Sequence, residues 1–198
     1  MAIRNILLLI LIVCSNKNIS AQAEAPQFTL SDWENNQISL SQFKGKVVLI
    51  NFWGTGCTDE RYYNWTKELS HKLKNYDDIV FINVATRSNY NKWLRLVSNG
   101  VPAGINLWGS IVEEDLYRVS EYPYSFVISK SGKILGRDPE PDFLDYVLIR
   151  AREDVTSRTA INEIKRNIRS PEKNENVFKY IQERYKFEQD STYSYSFF

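Results

Sequence analysis

The 198-residue chain carries 25 Lys and Arg against 24 Asp and Glu, a formal charge of +1, and is 43% hydrophobic. That is enough for one substantial core with an appendage, and the balanced charge excludes nucleic acid or another polyanion as a partner drawn in by charge. Two cysteines, Cys14 and Cys57, and one histidine, His71, leave no ligand set for zinc or haem, so neither a metal nor a cofactor is expected.

The first residues, MAIRNILLLILIVCSNKNISAQAEA, place Arg4 ahead of an apolar run from Ile6 to Val13, followed by small and polar residues. The run is too short to span a bilayer and has the layout of a secretory signal. Residues 1–23 are therefore expected to be a signal peptide, cut after Ala21 or Ala23, with domain-like sequence from Pro26. The expected location is periplasmic or otherwise extracytoplasmic, as in a bacterium. Cys14 admits a second outcome, a lipid anchor in the membrane, although Val13 is not the small residue that such processing favours. If the segment is cleaved as a signal, Cys57 is the one cysteine left and no internal disulfide forms despite an oxidising compartment.

Phe28 to Leu30 and Gln37 to Leu40 read as a hairpin across the polar turn Asp32 to Asn36. Val47 to Phe52 is a nearly continuous apolar, β-branched run, as a central strand buried on both faces requires. Gly54, Thr55 and Gly56 break it. From Thr58 to about Asn75 the spacing is helical, with Tyr62, Trp65, Leu69 and Leu73 on one stripe. Ile79 to Ala85 is a second buried strand. Ser88 to Asn99 is helical with Trp93, Leu94 and Val97 inward, and Gly104 to Trp108 is a short strand. Ser110 to Val119 carries a helical turn or two. Phe126 to Ile128, the turn Ser131-Gly132 and Ile134-Leu135 form a closing hairpin. Asp142 to Ala151 reads as the closing helix, with Phe143, Tyr146, Val147 and Ile149 or Arg150 at helical spacing. The alternation predicts an α/β fold with a mixed central sheet flanked by helices.

Beyond residue 150 an extension over 151–198 is expected to be helical. Ile161, Ile164 and Ile168 share a stripe within Thr159 to Arg169, and Ser170-Pro171-Glu172 reads as the cap of a further helix carrying Val177, Tyr180, Ile181 and Tyr185. This apolar surface either docks on the parent domain or contacts a partner or a second copy. The end, DSTYSYSFF, reads as a frayed tail.

Cys57 stands where the central strand turns into a helix, and a helix N-terminus favours a thiolate. The segment NFWGTGCTDER resembles the FWATWCPPC segment of the extracytoplasmic TlpA/ResA group of thioredoxin-like proteins, within the AhpC/TSA-redoxin superfamily. The resemblance covers about residues 25–150 and aligns Cys57 with the first cysteine of the Cys-x-x-Cys motif. It implies a thioredoxin-like fold and exchange with protein thiols or disulfides. Glu60 replaces the second cysteine, however, and Tyr63 stands where many members have a glutamate, so the two-cysteine cycle does not run. The resemblance also implies that Tyr122-Pro123, just before the late strand, is a cis pair beside the reactive cysteine. A proline at a strand entrance leaves backbone groups free to pair with an extended peptide.

These residues admit bland readings as well. Cys57 is either an exposed nucleophile or a small buried residue; Glu60 either shuttles protons to it or merely complements the helix dipole; Trp53 either walls a substrate groove or belongs to the core. The expected function is a monothiol oxidoreductase working through Cys57. The alternatives are a non-catalytic binding module on the same scaffold and a one-cysteine, peroxiredoxin-like peroxidase, for which Thr55 stands one place out of register.

Overall fold

The computed structural model describes residues 22–56 and 60–169. Cys14, Cys57 and the helix and tail expected after Arg169 lie outside the described residues. The strands are β1 (Thr29–Asp32), β2 (Gln37–Ser39), β3 (Val47–Trp53), β4 (Ile79–Ala85), β5 (Ile105–Trp108), β6 (Tyr124–Ile128) and β7 (Ile134–Arg137). The helices are α1 (Glu60–Lys72), α2 (Tyr90–Val97), α3 (Ile111–Tyr117), α4 (Leu144–Ala151) and α5 (Ser157–Arg169).

One mixed sheet runs in the order β2-β1-β5-β4-β3-β6-β7. All seven residues of β3 are buried, because it lies inside the sheet, parallel to β4 and antiparallel to β6, with α1, α4 and α5 over one face and α3 over the other. This satisfies the backbone of an apolar run that has no solvent-facing side. Val48, Ile50 and Phe52 pack on one face with Tyr117 and Phe126. Val47 and Leu49 pack on the other with Leu69, Leu73 and Val147.

Across this second face runs a buried polar line. Ser125 Oγ donates to Asn51 Oδ1 at 2.8 Å, Asn51 Nδ2 to Asn83 Oδ1 at 3.1 Å, and Asn83 Nδ2 to the Ala103 carbonyl at 2.9 Å. The three side chains sit on neighbouring strands at paired positions. Each buried amide thereby finds partners that water would otherwise supply.

Three expectations shift. The folded chain begins before Pro26: Ala23 accepts from Ile134 N, Ala25 N donates to Gly132, both at 2.8 Å, and Ala25 is buried. Helix α1 ends at Lys72 rather than near Asn75, because Lys74 N and Tyr76 N turn back to His71 and Leu73 and tighten the chain. Helix α4 is buried almost all round, Leu144 and Leu148 included, rather than along the one spacing of Phe143, Tyr146, Val147 and Ile149 or Arg150. The cause is α5, which covers its second side. Ala160 and Ile164 of α5 join the core, and Glu163 accepts from Tyr146 Oη at 3.1 Å and Arg150 Nε at 3.0 Å. Ile161 and Ile164 of this first extension helix are thus used within the chain.

Candidate functional site

The C-terminal ends of β3 and β4 meet the loop that enters β6. Thr86 N donates to the Trp53 carbonyl at 3.0 Å, closing the last rung between the parallel strands. Thr86 Oγ1 and the Tyr122 hydroxyl are 3.0 Å apart, which ties the β4 end to the β6 entrance. Tyr122-Pro123 is a cis peptide, as the resemblance implies. Tyr122 is half-buried and Pro123 exposed. Because Phe52 pairs with Tyr124, Pro123 stands beside the end of β3.

The segment leading to Cys57 is held on the same side. Thr55 is buried; its N donates to Ser88 Oγ at 2.9 Å and its Oγ1 accepts from Asn89 N at 3.1 Å. Its carbonyl accepts from the Lys92 ammonium. The Asn89 side chain also caps α2 through Lys92 N at 3.0 Å. One short loop, residues 86–89, therefore fixes both the turn before Cys57 and the Tyr122 side chain.

Trp53 does not wall a groove. It has no exposed surface, and rings of α1 cover it: Tyr62 stacks at 6.3 Å and Tyr63 meets its face edge-on at 6.1 Å. Tyr63 thus fills with an aromatic ring the place where the TlpA/ResA pattern has a glutamate. Glu60 is exposed at the first position of α1. His71 is exposed, as expected of a residue off the apolar stripe.

Sequence reasoning missed the acid of this end of the sheet. Glu114 in the first turn of α3 is 2% exposed, and its Oε2 accepts from Arg87 Nε at 2.8 Å. Burial opposes its charge. The hydroxyls of Tyr122 and Thr86 and the Arg87 guanidinium outweigh that and hold the carboxyl below its ordinary range. The same surroundings act on Tyr122: burial first, then Glu114, push its hydroxyl up to about 12. At neutral pH the pair is an ionised carboxylate beside a neutral phenol. Arg87 has φ 43, a left-handed backbone that its neighbours must enforce. The sequence signal for Glu114 was hidden, since Ser110 and Glu113 form an ordinary capping box and an acid in a first turn needs no further reason. No group of His, Cys, Asp and Glu fit to hold a metal occurs among the described residues.

The profile of the AhpC/TSA family matches residues 21–136. The chain belongs to the AhpC/TSA family. Within it, the chain is a TlpA/ResA-like protein of the thioredoxin fold. It is 34% identical over 115 residues to the thiol-disulfide oxidoreductase ResA of Bacillus thuringiensis, covering 57% of this chain and 65% of that relative. With ResA of Bacillus subtilis it shares 28% over 127 residues, 63% of this chain and 70% of the relative. The match thus spans about two thirds of the relatives' length. Among solved structures, the thioredoxin domain of a thiol-disulfide oxidoreductase from Bacteroides vulgatus superposes with a TM-score of 0.58 at 21% identity, covering 68% of this chain and 97% of that one. An exposed lipoprotein thioredoxin from Streptococcus pneumoniae gives 0.53 at 23%, covering 65% and 99%. These two likenesses concern the fold.

Proposed function

We propose that this AhpC/TSA-family protein is an exported monothiol oxidoreductase that exchanges disulfides with protein thiols through Cys57. The observation that supports the reading best is the loop of residues 86–89, which holds the Gly54-Thr55 turn before Cys57 and the Tyr122 side chain before Pro123 in one hydrogen-bonded frame. Such a frame sets a nucleophile at a strand end against the backbone edge where an extended peptide would pair. In the proposed reaction the Cys57 thiolate attacks one sulfur of a substrate disulfide. The old S–S bond breaks, a mixed disulfide forms, and the second substrate sulfur leaves as a thiolate. An external thiolate then attacks the substrate sulfur of the mixed disulfide and regenerates Cys57, since Glu60 stands in place of an internal resolving thiol. Lys92, bound to the carbonyl two residues before Cys57, adds positive charge that favours the thiolate. Glu60, exposed at the start of α1, is the proposed proton shuttle to the departing thiol. Removal of residues 1–21 as a signal leaves Ala23 in place for its bond to Ile134. A lipid anchor on Cys14 is the other form of export, and the Streptococcus relative is named as a lipoprotein.

The test is the pH dependence of Cys57 alkylation, with intact mass recorded before and after glutathione disulfide. An apparent pKa below the roughly 8.5 of a free cysteine, with an adduct that added thiol releases, is the expected result. A slow, unshifted thiol that forms no adduct overturns it and leaves the scaffold as a binding module.

A further inference from the structure

The loop of residues 86–89 carries a guanidinium that the proposed exchange does not use. Arg87 stands between the loop's two ties: Thr86 before it reaches the Tyr122 hydroxyl at 3.0 Å, and Ser88 after it accepts from Thr55 N at 2.9 Å. Its φ of 43 is a left-handed conformation, uncommon for a residue with a Cβ. Bonds on both sides enforce it, since Thr86 N donates to the Trp53 carbonyl at 3.0 Å and Ser88 Oγ to the Thr86 carbonyl at 2.9 Å. Arg87 is thereby fixed between the turn before Cys57 and the entrance to Pro123.

The side chain is aimed through one atom. Nε donates to Glu114 Oε2 at 2.8 Å, and the Glu114 side chain is only 2% exposed, so the acceptor is held in place. The other oxygen, Oε1, is buried and takes no hydrogen bond from the guanidinium. The contact is therefore single, not the two-armed grip in which an arginine commits its fork to one carboxylate. Both Nη groups, four N–H donors, have no partner among the described residues, and the Arg87 side chain is 65% exposed. Asp115, the next acid of α3, acts on it only through space. A guanidinium anchored at Nε presents its Nη edge, a pair of donors whose spacing matches the two oxygens of a carboxylate. Because Glu114 balances the charge, the attraction works at contact range.

We infer that Arg87 is a specificity residue of the exchange at Cys57: its Nη edge binds a carboxylate that the disulfide substrate carries close to the attacked sulfur. That carboxylate comes from an acidic side chain of a polypeptide or from a low-molecular-weight thiol. The inference rests on the proposed exchange and adds no step to it, since Arg87 makes and breaks no covalent bond.

The test compares rates of mixed-disulfide formation, read by intact mass, for the symmetric disulfides of acetyl-Cys-Glu-amide and acetyl-Cys-Gln-amide and for glutathione disulfide. Salt at about 0.5 M screens charges beyond contact range. The Glu peptide is expected to react about fivefold faster than the Gln peptide, and Arg87→Gln to bring that ratio to about one or below. A change in the Cys57 thiolate or in the folded fraction alters both rates alike and cancels in the ratio. Adding Glu114→Gln leaves no buried charge unpaired and keeps the comparison available should the single variant not fold. Of the Glu peptide and glutathione disulfide, the one slowed more by the substitution names the source of the carboxylate. Equal rates for the two peptides, or a preference that survives in a folded Arg87 variant, overturns the inference and leaves the exchange standing. No adduct from any of the three disulfides overturns the exchange and the inference together.

Discussion

Two side chains outside the loop of residues 86–89 also bear on the candidate site. Ser125 Oγ reaches Asn51 across β6 and β3 with both groups buried. Ser125→Ala removes the donor without removing the need, and is expected to cost about 1–2 kcal/mol in denaturant unfolding at unchanged slope; an effect below a few tenths would mean that water replaces the hydroxyl. Lys92 acts on charge. Its ammonium binds the Thr55 carbonyl, so Lys92→Gln is expected to raise the apparent pKa of Cys57 and slow its alkylation about twofold at pH 7, with Lys92→Arg restoring most of the rate. The sequence could not rank such residues. A tryptophan at a strand end reads equally as groove wall or core, and only the rings that α1 lays on Trp53 settle it. Glu114 carried no signal of its own because the groups that hold its charge, Tyr122, Thr86 and Arg87, come from other elements. The two cis prolines differ in the same way: Pro123 was legible through a resemblance, whereas Val101-Pro102 carried no such signal.

At the level of elements, strands and helices were legible wherever a period ran long enough. The apolar run of β3, the spacing of α1 and the turn signals around β6 and β7 all sit where patterning placed them. What escaped was contact between elements distant in sequence. At Gly136 in β7 a Cβ would lie 1.8 Å from Ser157 Oγ and 2.6 Å from Ser157 Cβ, so the start of α5 rests directly on the strand backbone. Gly136→Ala is expected to destabilise by about 1–3 kcal/mol. Ser157 Oγ is buried without a hydrogen-bond partner, so adding Ser157→Gly should recover much of that loss, and additivity of the two changes would count against direct contact. Asp78, just before β4, makes the second joint. It receives Lys130 at 2.8 Å and Arg152 at 2.9 Å, linking the β6–β7 turn and the end of α4. Burial alone would raise its pKa, but the bonds from Lys130 and Arg152 and their charges lower it. A carboxyl depressed in the folded state stabilises above its unfolded pKa of about 3.9, and the contribution is lost as pH falls through the folded value. Asp78→Asn is therefore expected to lower the thermal midpoint at pH 7, and the gap from the unaltered protein should close as pH falls through the depressed folded value. A gap independent of pH would show packing instead of charge.

For the molecule as a whole, the question is whether the extension beyond residue 150 folds with the thioredoxin-like sheet or beside it. The family match stops at residue 136, and from patterning alone the stripe of Ile161, Ile164 and Ile168 admitted a docked helix, the reading favoured, or a partner surface, because amphipathicity says that a face is covered without saying by what. In the structure Ile164 is 1% exposed and belongs to the same cluster as Val47, Leu69 and Leu148. Helix α5 thereby seals a face of α4 that would otherwise expose large apolar side chains. If that contact belongs to one cooperative unit, Ile164→Ala should cost about 3 kcal/mol and shift near-ultraviolet, far-ultraviolet and tryptophan-fluorescence transitions together. Trp53 and Trp93 lie in a cluster separate from that of Ile164, whereas Trp65 packs against both, so emission measured in a Trp65→Phe background reports on the sheet rather than on the helix. A split in which far-ultraviolet signal is lost early while the fluorescence midpoint stays fixed would make α5 an independent lid. Coincident shifts would mean that a helix outside the family pattern is part of what keeps β3, and with it the turn before Cys57, in place.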